Sequence, residues 1–583
     1  MRILLIALCG LVVGALLWTR SVTSVGLPRM TWVATAHQLG PVGYRDPAGG
    51  VSPDGHWLAY SEGRFLRVRS VTGGPIIEFL PGRAQIRNLL WSPDSRTIVA
   101  DGDTPQGGWA VYDLASTTRR PLWPNRSDAS DVRQLAWSAD GRTLAGLVNG
   151  RDGVEVWSIS ADGATAHSMR PDRRVAFPAW TPRGDVACIA TVNGRSRVTI
   201  PCGGPALSAQ PDLDAYGPLA FSPDGATAYV SLANTSGTVD LWAVPTSKGR
   251  ARQLSQFSRD SYAPTVAADG SVVFKLQSYR TTVALADAAG GPSRPLTTFQ
   301  SETPSWDPTG TWIGITYGTW RRVPDDAKYP DIAQDAGIIG ADPARPASAP
   351  SAIVQDSTSE DQALCWSPNG RWIAFHSHKD QSDDIWLRRA TGDPQARRIT
   401  MFGRGAEAGW PRWSRDGRWV VFTAAGRRTH RPAMYIVGID QESGEVSSPP
   451  REIGVSGLEV EVFHAEWADA GREVAAVGKE GPGQQVIFTV DRDGGAARVI
   501  HRFASEHDQP GLGVSPDGRE VAFIAPASDG FFQIFRMPLV GGPLVQVTRD
   551  ASNKTQPAWS PEGGRIAFTV WSYDAQFWRI DLR

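Results

Sequence analysis

Apolar and polar positions alternate along most of this chain in short bursts, and one phrase paces the bursts: a hydrophobic residue, usually Trp, a tight polar turn ending in Gly, then a run of β-formers. Twelve copies occur. The first six read VSPDGHWLAY at Val51, WSPDSRTIVA at Trp91, WSADGRTLAG at Trp137, WTPRGDVACI at Trp180, FSPDGATAYV at Phe221 and VAADGSVVFK at Val266. The second six read WDPTGTWIGI at Trp306, WSPNGRWIAF at Trp366, WSRDGRWVVF at Trp413, WADAGREVAA at Trp467, VSPDGREVAF at Val514 and WSPEGGRIAF at Trp559. Self-similarity at about 40 to 60 residues is the mark of a repeat architecture. Each repeat divides into four β-type pieces, most plainly QALCW, RWIAFHS, DIWLRRA and ARRITMF in the eighth, split by Asn, Asp and Gly turns as antiparallel hairpins require. A lone four-stranded sheet cannot bury both faces, so sheets stacked around an axis complete the core.

The chain ends specify how such a stack closes. FWRIDLR (Phe577 to Arg583) is a third strand, so the last repeat lacks its fourth, whereas TWVATAHQLG (Thr31 to Gly40) is a lone fourth strand similar to ARQLSQ at Ala251 and RPLTTF at Arg294. The early strand then completes the sixth blade and RPLTTF the twelfth. The expectation is an all-β protein of two consecutive six-bladed β-propellers with four-stranded blades, residues 31–300 and 301–583, within the four to eight blades usual for propellers. The alternative is one open ring or clam closed by the two chain ends.

The Trp-Ser-Pro-Asp-Gly phrase, the Ile-Ala-Phe strand after it, Asp384 to Trp386 and the closing Arg-Ile-Thr resemble the TolB-type propeller repeat over nearly all of the chain after residue 30. The resemblance implies a periplasmic, protein-binding propeller. TolB also carries an α/β domain ahead of a single six-bladed ring; here a second ring takes that share of the chain. Similar repeats occur in prolyl-oligopeptidase-like peptidases, but no Gly-x-Ser-x-Gly elbow is present and the repeats leave no room for a hydrolase domain.

Composition narrows the function classes. The 583 residues are 41% hydrophobic with a formal net charge of −1 and no Lys/Arg block, so no nucleic-acid footprint is expected. Ile3 to Trp18 is an uncharged apolar stretch between Arg2 and Arg20. As a helix it reaches about 24 Å, against a bilayer core of about 30 Å, a gap that snorkelling Arg side chains and local thinning can close. Residues 1–20 are read as a membrane anchor or a cleaved signal, with 21–30 as linker; the nearest small-residue cleavage site, Ala34-Thr35-Ala36, lies far downstream. Lipidation of Cys9 is a third option, with bulky Leu8 against it. The main options both export the rest, to a periplasmic or extracytoplasmic location. Arg20 and Arg29 follow the segment as Arg2 precedes it, so charge bias leaves orientation open. Cys188 and Cys202 fall on neighbouring β-runs around Asn193-Gly194 and are either a disulfide or two buried thiols.

Candidate chemistry is sparse. His376 and His378 are two apart on a strand with Asp380 and Asp383 nearby, a weak metal candidate in a phrase that reads first as an ordinary variant of the hairpin in the TolB-type repeat it resembles. No catalytic set, cofactor or resident metal is expected. The loops between blades, and between second and third strands, vary in length and charge, and function concentrates on such loops. Those of the first ring carry Arg83, Arg87, Arg126, Arg170, Arg173, Arg174 and Arg259, offset by Asp128, Asp172 and Asp260; those of the second carry Glu302, Glu360, Asp361, Glu407, Glu461, Glu466, Glu506 and Asp508. A mouth of one sign concentrates ligands of the other. The partner-binding candidates are Trp320, Arg321, Arg322 and Tyr329 in the long insertion Thr319 to Asp335, Arg427, Arg428 and His430 in the Ala424 loop, and Glu407, Trp410, Glu506 and Asp508. Three functions are carried forward: a membrane-anchored scaffold binding a protein or envelope component, a lyase or hydrolase acting on an oligosaccharide or peptide at a ring mouth, and an extracytoplasmic ligand sensor.

Overall fold

A computed structural model describes residues 30–582 except 38–48, 63–64, 80–85, 87, 102–107, 124–131, 151–152, 170–174, 234–238, 258, 319–334, 343, 355–360, 380–381, 392–394, 404–406, 426–430, 482, 506–510, 529–530 and 551. The apolar segment 3–18 lies outside these residues. Among the described residues the protein is all-β, and no helix is long and apolar enough to cross a membrane. Nine sheets are four-stranded, each laid down in chain order as a meander, such as Gly49–Val51, Trp57–Glu62, Phe65–Ser70 and Ile76–Phe79.

The recurring turn works through its serine. Ser52 Oγ donates to Asp54 Oδ1 (2.5 Å) and accepts the Trp57 N–H (2.9 Å), so one hydroxyl joins the start of the turn to the strand that follows. Ser414, Asp416 and Trp419 repeat this at 2.5 and 3.0 Å. The Ser138 hydroxyl and the Arg142 N–H hold the Asp140 carboxyl below its ordinary range. Gly55 closes its turn at φ +75°, a conformation glycine adopts without steric cost.

Beside the turn, several of the repeat Trp residues tie a sheet to the one before it. Trp91 Nε1 donates to Gly50 O (2.9 Å), Trp467 Nε1 to Arg412 O (3.0 Å) and Trp559 Nε1 to Gly513 O (3.1 Å). The apolar core accordingly lies between neighbouring sheets, as where Leu66 and Val68 meet Trp91 and Ile98, or Ile385 and Leu387 meet Trp413 and Phe422. First strands neighbour one another in two closed cycles. One runs through the strands Gly49–Val51, Leu89–Trp91, Val132–Trp137, Val175–Trp180, Ala215–Phe221 and Asp260–Val266 and back to the first. The other runs through Ser301–Trp306, Asp361–Trp366, Glu407–Trp413, Glu461–Trp467, Leu512–Val514 and Asn553–Trp559 and back. Its closing bond is Trp306 Nε1 to Ala558 O (3.0 Å).

These inner strands share a kink the repeat phrase did not announce. Phe177, Ala263, Thr303, Trp410 and Gln556 have φ between +49° and +59°, each is followed by Pro, and the strand register slips there. Such backbone costs on the order of 1–3 kcal/mol and persists only when neighbours over-determine it. The neighbours are side chains of the preceding sheet: Gln134 Oε1 accepts the Phe177 N–H (2.8 Å) and Thr569 Oγ1 that of Thr303 (3.0 Å). Proline, which cannot donate to a ladder, is tolerated at the bulge.

Besides a two-stranded parallel pair, Val455–Ser456 with Gly495–Ala496, two features depart from uniform four-stranded sheets among the described residues. The sheet of Val175–Trp180, Val186–Val192 and Arg195–Thr199 has three strands. Prolines 201 and 211 and glycines 203 and 204 occupy the stretch where a fourth would pair, and the Gln210 side chain stands in for it, taking the Val198 N–H (2.8 Å) and donating to Leu213 O (2.9 Å). Cys202 of this stretch is joined to Cys188, with Cα atoms 4.9 Å apart.

The second departure is a sheet shared by both cycles. Val272–Asp287 and Arg565–Ile580 are 16-residue strands paired antiparallel without a slip from Val272↔Ile580 to Asp287↔Arg565. At about 3.4 Å per residue each reaches roughly 54 Å, long enough to serve two sheets in succession. At one end the order is Asp260–Val266, residues 272–277, residues 576–580 and Met30–His37; at the other it is Asn553–Trp559, residues 565–571, residues 281–287 and Arg294–Pro295. Each cycle thus borrows its last third strand from the other half of the chain, and the passage between cycles falls inside Val272–Asp287, ahead of residue 300.

Phe577, 2% exposed, carries this exchange into the first cycle: its ring packs on Tyr60 at 6.1 Å, and a Cβ at Gly49 would lie 2.6 Å from its Cζ. Phe577→Ala is expected to cost about 3 to 5 kcal/mol, read by chemical denaturation. Faster hydrogen exchange should begin in Trp57–Glu62 and residues 272–277, far from the mutation in sequence, while Asp361–Ser377 stays protected.

Candidate functional site

The residue just before each Trp of the repeat sits at the axis of its cycle, and this one position decides what each channel can do. In the first cycle it is Gly50, Leu90, Ala136, Ala179, Ala220 and Thr265, all of them lining a cavity of about 890 Å³. The walls are completed by turn prolines such as Pro53 and Pro93 and by Trp91, Trp137, Phe177 and Phe221; among the described residues, Lys275, 1% exposed, is the one charged residue in the lining. In the second cycle the position holds Ser305, Cys365, Arg412, Glu466, Gly513 and Ala558, around a space of about 260 Å³. Larger polar side chains leave less room, and they bond to one another.

Arg412 Nε lies 3.2 Å from Glu466 Oε2 across adjacent sheets. Burial pushes the Glu466 carboxyl up, against the pull of the Arg412 guanidinium. Arg415 reaches past the intervening sheet to donate to Ser515 O (2.6 Å). Burial pushes the Cys365 thiol up to about 11, so at neutral pH it is protonated and no thiolate nucleophile is present. Further along, burial and the Arg412 charge push the His464 imidazole well below its ordinary range, and its ring faces Trp410 at 5.6 Å. The charges of this channel are spent on holding sheets together.

The sequence candidates scatter. Trp320, Arg321, Arg322, Tyr329, Arg427, Arg428, His430, Glu506, Asp508 and Asp380 lie outside the described residues, as do Arg83, Arg87, Arg126, Arg170, Arg173, Arg174, Asp128, Asp172 and Glu360. Trp410, expected as an exposed contact, is half-buried at an inner-strand bulge. Glu302, Asp361, Glu407, Glu461 and Glu466 stand on inner strands where loops were expected, because those strands begin earlier than the alternation indicates; Glu302 is buried, and Glu461 meets Arg431 at 3.7 Å. Asp260 accepts the Val239 N–H (2.9 Å) and Arg259 is exposed.

His376, His378 and Asp383 do converge. Asp383 Oδ1 lies 3.3 Å from His376 Nε2 and bonds His378 Nδ1. Among the described residues no group of three or more His, Cys, Asp or Glu is arranged to hold a metal ion. His376 occupies the second-strand position that in neighbouring repeats is Thr316 or Thr569, residues that brace the next inner strand, and a Cβ at Gly409 of that strand would lie 3.8 Å from its ring. The axial position, by contrast, was readable in the sequence as the residue before each Trp, once the strand is known to face an axis.

Arg412→Met removes one partner of a buried pair and is expected to cost about 3 to 5 kcal/mol. A raised folded-state carboxyl keeps its proton above the unfolded value of 4.5, so its contribution to stability falls as pH rises from there through the raised pKa. Without Arg412 the Glu466 carboxyl rises further. Denaturant titrations should therefore show a larger loss at pH 8 than at pH 5.

No protein-family model and no curated protein sequence matches the chain. Among solved structures, a protein assigned as TolB from Agrobacterium tumefaciens is 19% identical, with a TM-score of 0.38 over 50% of this chain and 99% of its own. The tricorn protease is 10% identical, with a TM-score of 0.31 over 88% of this chain and 62% of its own. Both are β-propeller folds, and this chain is similar to them in its repeated antiparallel sheets.

Proposed function

We propose that this chain is an exported binding scaffold of two six-bladed propellers, held at a membrane by residues 1–20 and engaging a protein or cell-envelope component through its variable loop face. On this reading ring one comprises residues 30–277 with 575–582, and ring two residues 281–571. The two closed cycles of first strands support the ring count, and the shared sheet supports this division over one at residue 300.

The observation that supports a binding role is the contrast between the channels, which adds an axial site to the loop face. A large pocket with mostly apolar walls and a few polar groups is the usual form of a ligand site, and the first channel has that form. In the second, Glu466 is neutralised by Arg412 and the Cys365 thiol keeps its proton, so the described polar residues there serve cohesion. The bonded pair Cys188 and Cys202 supports export, since disulfides persist in oxidising compartments.

The test is crosslinking and pull-down of the full chain from membranes, compared with a variant lacking residues 319–334. Recovery of one protein by the parent, lost in the variant, is the expected result. Recovery of a cleaved glycan or peptide in its place would support the lyase or hydrolase reading and sink the scaffold. The mass of the mature amino terminus distinguishes a retained anchor from a cleaved signal.

A further inference from the structure

Indoles apart, the described lining of the first channel has five polar side chains, and each of them is engaged by the fold. Asn88 gives a backbone and a side-chain N–H to the Asp101 carboxylate. The Gln134 carbonyl oxygen takes the Phe177 N–H (2.8 Å), and Ser138 Oγ donates to Asp140 while accepting the Thr143 N–H (3.0 Å). Thr265 Oγ1 donates to Val273 O (3.3 Å) and accepts the Val51 N–H (3.2 Å). Lys275 likewise has its partner within the chain. The rim adds few donors. Pro53, Pro93, Pro182 and Pro223 reach the lumen from the turns and have no N–H, and the Ala268 N–H beside them is bonded to Pro53 O (2.6 Å). Trp91 Nε1 is held by Gly50 O (2.9 Å), and Trp137 Nε1 is buried away from the open space.

These engagements select among occupants. A charge drawn from water into this channel meets no free counter-charge, which is costly. A polypeptide brings an amide at every residue, with the same difficulty on a smaller scale. A hydrocarbon surface needs no partner and gains with the area it buries, and Leu90, Ala136, Ala179, Phe177 and Leu219 offer it one. Shape narrows the choice further. In successive sheets the lining runs over the same five residues, Gln134 to Ala139 and Phe177 to Pro182, a length of roughly 17 Å. The open volume of about 890 Å³ spread over that length is a cross-section of roughly 50 Å². One extended alkyl chain, with neighbours at about 4 Å, fills about a third of it.

We infer that the channel of ring one is a binding site for an uncharged, hydrocarbon-rich small molecule with a fused-ring or branched skeleton. This rests on the axial site of the binding reading and adds the ligand class.

The test uses the full chain in phosphatidylcholine vesicles with diazirine-tagged N-phenyl-1-naphthylamine, its sulfonate and its trimethylammonium analogue, each dialysed to equal free concentration, the labelled residues being mapped by mass spectrometry. The uncharged probe should label the peptides of Leu90, Ala136 and Leu219. Both charged analogues should label them about tenfold less, and tagged decanol about threefold less. Ala136→Phe and Ala220→Phe, which place rings in the lumen, should each lower labelling by the uncharged probe about tenfold without lowering the melting temperature. Labelling spread over the surface, or labelling that survives both Phe variants, would overturn the site. A charged analogue that labels as well as the uncharged probe, and is blocked by the Phe variants, would overturn the ligand class and leave the axial site; decanol labelling at parity would overturn the fused-ring or branched skeleton. The pull-down through the loop of residues 319–334 involves none of these probes, so failure of the channel site and failure of the loop-face scaffold are read separately.

Discussion

A four-stranded sheet with two apolar faces has to find a neighbour on each, and a row of such sheets has no end until it meets its own beginning. Most of the structure follows from that requirement. Interleaved cores of Leu, Val and Phe join neighbouring sheets, and at some junctions a Trp indole bonds back to the previous inner strand or a hydroxyl braces the next strand's bulge. Closure is the one junction that cannot be made by a chain neighbour. It is made by Val272–Asp287 and Arg565–Ile580, whose 16 pairs give each cycle a strand that belongs in sequence to the other. Neither cycle can then be completed while the other half of the chain is absent, and stability in one depends on residues of the other.

Much of this could be read from residues alone, for a physical reason. The Ser-Pro-Asp-Gly turn is a local device whose hydroxyl, carboxylate and glycine all act within five residues, so its sequence and its geometry coincide, as at Ser52 to Trp57. The lone fourth strand near Thr31 and the unpaired third strand at Phe577 were equally visible, because a missing strand leaves a gap in a strict count. The exchange of third strands was not. TTVALAD at Thr281 and FWRIDLR at Phe577 carry the same alternation, and a pattern of period two does not say which of two equivalent sheets a strand completes. The inner-strand bulges escaped for a related reason. The Pro at positions 178, 264, 304, 411 and 557 was present in each repeat, but the positive φ before it depends on a side chain some forty residues away or, at the closure, on the far end of the chain.

The site was legible only in part. Glu302 and Glu466 were assigned to loops because alternation places strand starts too late, and both proved to be interior. The cluster of His376, His378 and Asp383 was visible as a spacing, and the spacing was real, but the position it occupies is the one its neighbours use to hold sheets together. Loops of the variable face fall largely outside the described residues, which leaves the axial residues as the informative ones.

Those axial residues show how one repeat can serve two purposes. Structure constrains the Trp, the turn and the bulge, whereas the residue before the Trp lines the axis and differs from repeat to repeat. In one cycle the position holds Arg412, Glu466 and Cys365, which reduce the open volume, and the first two tie adjacent sheets together. In the other it is left as Gly50, Ala136, Ala179 and Ala220, which contribute little cohesion and leave the space open. Cohesion forgone at the axis has to be supplied elsewhere, and the disulfide of Cys188 and Cys202 and the Gln210 substitute strand both lie in the cycle with the open channel.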